Sequence, residues 1–155
     1  MPTAATRQRV RESFSQLPGH LIRRLHQVST AYFTDECGGE LTAVQYAALA
    51  AIGAHPGIDA TRLSEIIFFD RSTIGDVLDR LEGRAWIRRS SAPGDRRIKR
   101  LELTTAGRTA LQQAEPGIRR VQARLLAPLT ATEARTVVRL LAKMAGDSED
   151  DGDDA

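Results

Sequence analysis

Between residues 41 and 107 the hydrophobic period changes once, from helical to alternating, and any fold for this chain must accommodate that change. Thr42 with Gln45 forms a capping box that opens an Ala-rich helix, AVQYAALAAIGAH, which Pro56-Gly57 terminates. Asp59 can cap a short helix, ATRLSEIIFF, with Leu63, Ile66 and Ile67 on its buried side. Asp70 can cap the next, RSTIGDVLDRLEG, where Ile74, Val77, Leu78 and Leu81 recur at i, i+3, i+4 and i+7. Its other face then carries Arg71, Ser72, Thr73, Asp76 and Arg80. After Gly83 the pattern becomes β-like: AWIRRS, a turn APGD, then IKRLELT, in which Ile98, Arg100 and Glu102 alternate against Lys99, Leu101 and Leu103. The expectation is three helices, two of them short and tightly joined, followed by a hairpin with a basic tip.

Longer helices flank this middle. Leu21, Leu25, Val28 and Tyr32 fall at helical spacing in LPGHLIRRLHQVSTAYFTDEC, with Ile22, Ser29 and Phe33 broadening the stripe. Pro18 suits a first helical turn and Gly38-Gly39 a stop. Residues 1–6 read as frayed and 7–16 as a helical extension. Beyond the hairpin, Thr104 or Thr105 can cap a helix beginning AGRTALQQA, which Pro116-Gly117 should kink before IRRVQARLL carries it on. Thr130 and Glu133 make a second capping box, opening a helix with Ala134, Val137, Val138, Leu141 and Met144 on one side. In a chain of 155 residues, about one domain's worth, such wide apolar stripes meet either the rest of the chain or a partner subunit.

Composition narrows the functional classes. Apolar residues are 41% and aromatics only 5%, so the core must be mostly aliphatic. The N-terminus, MPTAATRQRV, has no apolar region of signal-peptide length and no window approaches a membrane span, which reads as a cytoplasmic protein with no membrane partner. A lone cysteine, Cys37, excludes an intrachain disulfide and agrees with a reducing compartment. His20 and His26 lie six apart on different helical faces and His55 stands alone, so no metal site is expected. With no nucleophile elbow, phosphate loop, HExxH or triad, neither catalysis nor a cofactor is expected. The formal charge of +2 hides an asymmetry: the tail 147–155, DSEDDGDDA, holds six acids and no base, leaving 22 bases against 14 acids elsewhere. Residues 84–108 hold eight bases against Asp95 and Glu102. Such a cluster is either a solvated basic face or an attractor of polyanions, whose condensed counterions it would release. The tail itself reads as disordered.

Helix, helix, helix with a polar outer face, then basic hairpin is the order of a winged helix-turn-helix, mainly α with a small β-wing. A helix about 10–12 Å across fits the major groove. Arg71, Ser72 and Thr73 stand near its N-terminus and Arg80 further along, where they could reach base edges or phosphates. Arg96 and Arg97, with Lys99 behind them, sit where a side chain could enter the narrower, more negative minor groove, and Asp95 could orient one of them. Trp86, at the strand's start, is expected to pack rather than to stack on a base.

The stretches LTAVQYAALAAI, RSTIGDVLDRLEGRAWIRR and GDRRIKRLELTTAG together resemble the MarR family of bacterial transcriptional regulators. The most specific pieces are LTxxQ (Leu41, Thr42, Gln45), DRLE (Asp79 to Glu82), DxR (Asp95, Arg97) and LTxxG (Leu103, Thr104, Gly107). The resemblance implies a homodimer held by dimerisation helices at 7–37 and 106–146, around a winged helix-turn-helix lobe at 41–104. It implies double-stranded DNA with a pseudo-palindromic operator as partner, two recognition helices in successive major grooves, and Arg97 of each wing in the minor groove. Gly75 and Asp76 depart from the hydroxyl and basic residue common there. Asp76 either accepts from a cytosine amino group or, the favoured expectation, pairs with Arg71 or Arg80.

The family also implies a small aromatic carboxylate as effector, and RRLHQ, DECGG, VQYAAL and HPGIDATRLS are similar in particular to its repressors of nicotinate and related aromatic-acid catabolism. His20, Arg23, His26 and Tyr46 are the candidate effector-binding residues; alternatively the histidines are surface residues and Tyr46 is core. Two other readings are a thiol-sensing repressor acting through Cys37, disfavoured by Asp35, Glu36 and Glu40 nearby, and a winged scaffold that binds a protein instead of DNA.

Overall fold

A computed structural model describes residues 14–146. The chain forms two compact units, the first ending at Val121 and the second beginning at Gln122. The elements in order are α1 (Pro18–Cys37), α2 (Ala43–Ala54), α3 (Ala60–Ile67), α4 (Arg71–Gly83), β1 (Ile87–Ala92), β2 (Asp95–Leu103), α5 (Thr105–Leu126) and α6 (Ala131–Ala145). The fold is therefore mainly helical with one two-stranded antiparallel sheet, a winged helix-turn-helix flanked by longer helices. Most of the expected 7–16 extension and the whole acidic tail, 147–155, lie outside the described residues.

Local chemistry sets the helix starts. Thr42 accepts from the Gln45 backbone N–H while Gln45 returns a bond to the Thr42 N–H, closing the capping box of α2. Asp59 accepts from Arg62 N at 2.9 Å and Asp70 from Thr73 N at 2.8 Å, so α3 and α4 start where the sequence placed them. The end of α3 differs. The expected run through Phe69 stops at Ile67, because Phe68 turns left-handed at φ 56° and sends its N–H to Ser64 O. That turn is what makes the α3–α4 corner tight.

The first unit's main core lies where α2, α3, α4 and the sheet converge. Leu49, Ile52, Leu63, Ile74, Leu81, Ile87 and Leu101 are fully buried, each contributing about 1.5–3 kcal/mol of transfer free energy. Ile66 and Ile67 are only half-buried, and Ser64 takes a buried place on α3 instead. In the hairpin, Ile87 faces Leu103 and Arg89 faces Leu101, so Leu101 and Leu103 point inward as expected while Ile98 on the other face is exposed. A pairing outside the expected pattern reinforces this. Ile58, in the α2–α3 connection, bridges Leu101, with Gly57 N donating to Leu101 O at 2.9 Å and Leu101 N to Ile58 O at 2.8 Å. The hairpin is thus stitched to the loop ahead of α3.

Thr104 caps α5, its hydroxyl accepting from Gly107 N at 3.0 Å and donating to Ala85 O at 2.6 Å. A Cβ on Gly107 would fall 1.9 Å from Trp86 O, so only glycine permits this approach of helix to strand. The LTxxG motif is therefore the joint between the hairpin and α5. Trp86 packs against the core, with the Arg84 guanidinium 4.7 Å from its ring centroid, as the packing expectation required. Pro116, expected to kink α5, lies inside a helix assigned continuously, and Gly117 beside it approaches the end of α1, where a Cβ would meet Glu36 O at 2.8 Å.

In the second unit, Thr130 and Glu133 close the capping box of α6, which ends at a left-handed Gly146. None of the residues of α6 is buried, and Val138, Leu140, Leu141 and Met144 are exposed.

Candidate nucleic-acid interface and effector cleft

On α4 the polar face is organised by its cap. The Asp70 carboxylate accepts from the Ser72 hydroxyl at 2.6 Å, the Thr73 hydroxyl at 2.6 Å and the Thr73 N–H at 2.8 Å. These bonds, the Ser72 hydroxyl first, hold the Asp70 carboxyl well below the usual carboxylate range. Both hydroxyl hydrogens are spent on the cap, so Ser72 and Thr73 offer lone pairs rather than donors to anything that approaches. Arg71 turns across the corner and donates to Thr61 Oγ1 at 3.0 Å. The expected pairing of Asp76 with Arg71 or Arg80 is absent among the described residues. The reason is tertiary: α3 offers Arg71 a hydroxyl across the turn, which the helix's own spacing did not disclose. Arg80 is exposed in the last turn.

The wing is held against α4 by Arg89, a residue the sequence reading passed over. Its guanidinium reaches Asp79 Oδ1 at 2.5 Å, and its Nε lies 3.4 Å from Glu82 Oε2, an ionic contact without hydrogen-bond alignment. The DRLE motif thus supplies the two acids of α4 that receive a β1 arginine. The signal was legible only as charge: acids three apart on a helix and a base on the following strand.

At the wing tip, Gly94 adopts φ 84° and Asp95 Oδ1 accepts from the Arg97 N–H at 2.9 Å. Asp95 therefore shapes the backbone beneath Arg97. Arg96, Arg97 and Arg100 are exposed and make no ion pair among the described residues, while Lys99 donates to Ser91 Oγ at 2.9 Å. Arg88 pairs with Glu102 across the strands.

A cleft of about 810 Å³ lies between α2, the base of the hairpin and α5. Tyr46, Ala50, Gly53, Leu103 and Leu111 supply apolar surface, and the polar lining comprises Arg88, Glu102, Thr104, Thr105, Arg108, Gln112 and Glu115. Arg108 donates to Leu103 O at 3.0 Å. Of the four effector candidates, Tyr46 lines this cleft; His20, Arg23 and His26 belong to α1 and do not. The Arg23 guanidinium lies 3.3 Å from His20 Nδ1, and the Phe14 and His20 rings are 4.5 Å apart.

Cys37 sits at the end of α1 beside Arg120, whose Nε meets Glu36 Oε2 at 2.6 Å. Burial is the largest influence on this thiol and pushes its pKa up; Arg120 opposes the rise and Glu36 adds to it. Among the described residues no group of three or more His, Cys, Asp or Glu could hold a metal ion, and no helix is long and apolar enough to cross a membrane.

The model of the MarR family matches residues 41–99, the stretch from the cap of α2 to the second wing strand. The chain is 30% identical over 152 residues to the HTH-type transcriptional repressor NicR of Pseudomonas putida, covering 97% of this chain and 96% of that one. Its fold is similar to that of the PcaV transcriptional regulator from Streptomyces coelicolor in complex with its natural ligand, with a TM-score of 0.81 and 35% identity over 85% of this chain and 94% of that one. It is equally similar to Bordetella bronchiseptica BpsR, whose DNA binding is regulated by 6-hydroxynicotinic acid, with a TM-score of 0.82 and 29% identity over 85% of this chain and 95% of that one.

Proposed function

This chain belongs to the MarR family, and from that premise we propose that it is a homodimeric, sequence-specific repressor released from its operator by a small aromatic carboxylate. The observation that carries the reading is the wing: Arg96, Arg97 and Arg100 are exposed and unpaired by any acid among the described residues, on a hairpin anchored to a helix-turn-helix. Unpaired guanidinia of this kind are poised to replace the counterions of a phosphate backbone. In this reading α4 of each protomer enters the major groove with Arg71 and Arg80 toward bases and phosphates and the Ser72 and Thr73 oxygens toward base amino groups. Arg97 enters the adjacent minor groove, supported by Arg96 and Lys99, and half-sites lie about one helical turn apart.

Dimerisation is supported by apolar surface within each unit: Leu17, Leu21, Ile22, Leu25 and Val28 on and before α1, and Val138, Leu141 and Met144 on α6 are all exposed. For the effector, the cleft at Tyr46 offers apolar surface with a phenol and the Arg108 guanidinium, while its two carboxylates are already paired, Glu102 with Arg88 and Glu115 with Arg119. Arg108 is the cation we place against the carboxylate, in preference to His20, Arg23 and His26, because it lines the cleft and they do not. Occupying a cleft that touches both the hairpin base and α5 would bias the wing's position, which is a coupling free energy between effector and operator. NicR is a repressor and BpsR responds to a hydroxylated pyridine acid, which favours the same ligand class here.

The test is to titrate the purified protein onto its own promoter DNA at several salt concentrations, then to add nicotinate-class and hydroxybenzoate-class acids. Specific binding that weakens with salt and is reversed by one class is the expected result. Sequence-independent affinity throughout would sink the reading.

A further inference from the structure

The outer stripe of α4 presents acceptors where a DNA-reading helix commonly presents donors. At 100° per residue, Ser72, Asp76 and Asp79 stand opposite the buried Ile74, Val77, Leu78 and Leu81. The Ser72 hydroxyl hydrogen is bound to Asp70, leaving lone pairs. Asp79 is neutralised by Arg89. Asp76, between them, is exposed and carries no ion pair among the described residues, since Arg71 is engaged with Thr61. Beside it Gly75 carries no side chain and a Cβ there would meet nothing within 4 Å, so the space next to Asp76 on this helix is open.

We propose that Asp76 determines operator specificity by accepting a hydrogen bond from the exocyclic N4 amino group of a cytosine in the major groove, with Gly75 giving the base edge room to approach. The inference rests on the DNA-binding reading above. Of the major-groove edges, only cytosine N4 and adenine N6 offer donors. Adenine's stands beside the N7 acceptor, which repels a carboxylate, so a carboxylate selects cytosine and an amide would select adenine. Repulsion from the phosphates is a uniform cost, borne by the basic wing and by Arg71 and Arg80 at either end of α4. Asp76 thus lowers affinity for every sequence and lowers it least for the one it reads.

Selection from a randomised duplex library with the full chain as wild type, Asp76→Ala and Asp76→Asn tests this directly. Wild type should enrich a G·C pair at one position of each half-site. Asp76→Ala should bind DNA in general more tightly yet lose preference at that position alone, by roughly 10- to 100-fold, and Asp76→Asn should move it toward adenine. As a second measurement, replacing that cytosine by 2-pyrimidinone, which lacks the amino group, should weaken wild type and leave Asp76→Ala unchanged. An enriched sequence that is identical for wild type and Asp76→Ala overturns the inference while leaving DNA binding standing. A wild-type library with no enriched sequence overturns the DNA-binding reading and the inference with it.

Discussion

Helix α4 and the wing are neighbours linked by the Arg89–Asp79 ion pair, yet they spend their polar groups in opposite ways. On α4 nearly every polar side chain of the first turn is committed: Ser72 and Thr73 to Asp70, Arg71 to Thr61. At the wing tip Asp95 shapes the backbone alone, and the guanidinia of Arg96 and Arg97 are left without an acid among the described residues. Committed groups hold a fixed pattern of acceptors, which is what selectivity among bases requires. Uncommitted cations supply field strength to any duplex, which is what affinity requires. On the proposed reading the chain separates specificity from affinity in space, with Arg89 contacting the α4 acids Asp79 and Glu82 between the two.

The severest way to break that arrangement is at its hinge with α5. Gly107→Ala places a methyl group 1.9 Å from Trp86 O, so the strand and helix must part. Denaturant melts should show destabilisation of several kcal/mol, beyond the usual 1–3 for overpacking because the obstacle is backbone, and operator binding should be lost with it. Arg97→Ala strikes the wing without disturbing the fold. Gel-shift titrations should show about tenfold weaker binding on all sequences alike and a salt slope lower by about one, with the melting temperature unchanged. Arg89→Ala cuts the link between the regions while removing no proposed DNA contact. A stability loss of about 1 kcal/mol, since Asp79 is largely solvated and Glu82 nearly half exposed, should accompany an affinity loss larger than that energy explains. Equal losses in the two measurements would mean that wing and helix act independently.

The smallest effect belongs to the cap of α4. The Asp70 carboxyl is held below its ordinary value by Ser72 first and then Thr73, so the folded state binds its proton later than the unfolded chain does. Its stabilisation is complete above the unfolded value, about pH 4, and is lost as pH falls through the lower folded value. Thermal melts of Asp70→Asn against wild type should therefore differ most near neutrality and converge in acid. The same variant replaces the oxygen that accepts from the Thr73 hydroxyl by an amide nitrogen, which frees that hydroxyl to donate, so its operator preference should broaden at the base Thr73 faces.

The starts of α2, α3, α4 and α6 were legible because a cap is a bargain among residues at most three apart: Thr42 with Gln45, Asp59 with Arg62, Asp70 with Thr73, Thr130 with Glu133. The buried faces of α4 and of the hairpin were legible because each repeats with its own period. The candidate interface was legible as charge and order, and Arg96 and Arg97 stand exposed on the wing. The end of α3 was not legible, since Phe68 adopts a left-handed turn that a phenylalanine's own preferences oppose. Nor was the cleft: Tyr46 was singled out on α2, but its neighbours Arg88 and Arg108 come from the hairpin and α5, more than forty positions on.

From its sequence alone the chain determined where its helices begin, which faces they bury and where positive charge accumulates, because those depend on spacing within a few turns. Only the tertiary structure decided how the pieces engage. It sent Arg71 to Thr61 and left Asp76 open, bound Arg89 to Asp79, bridged Ile58 to Leu101, and pressed Gly107 against Trp86. Each of those partners is distant in the chain or lies across a turn. Which of several chemically adequate partners a side chain meets is settled by the packing of whole elements, not by the preferences of the residues themselves.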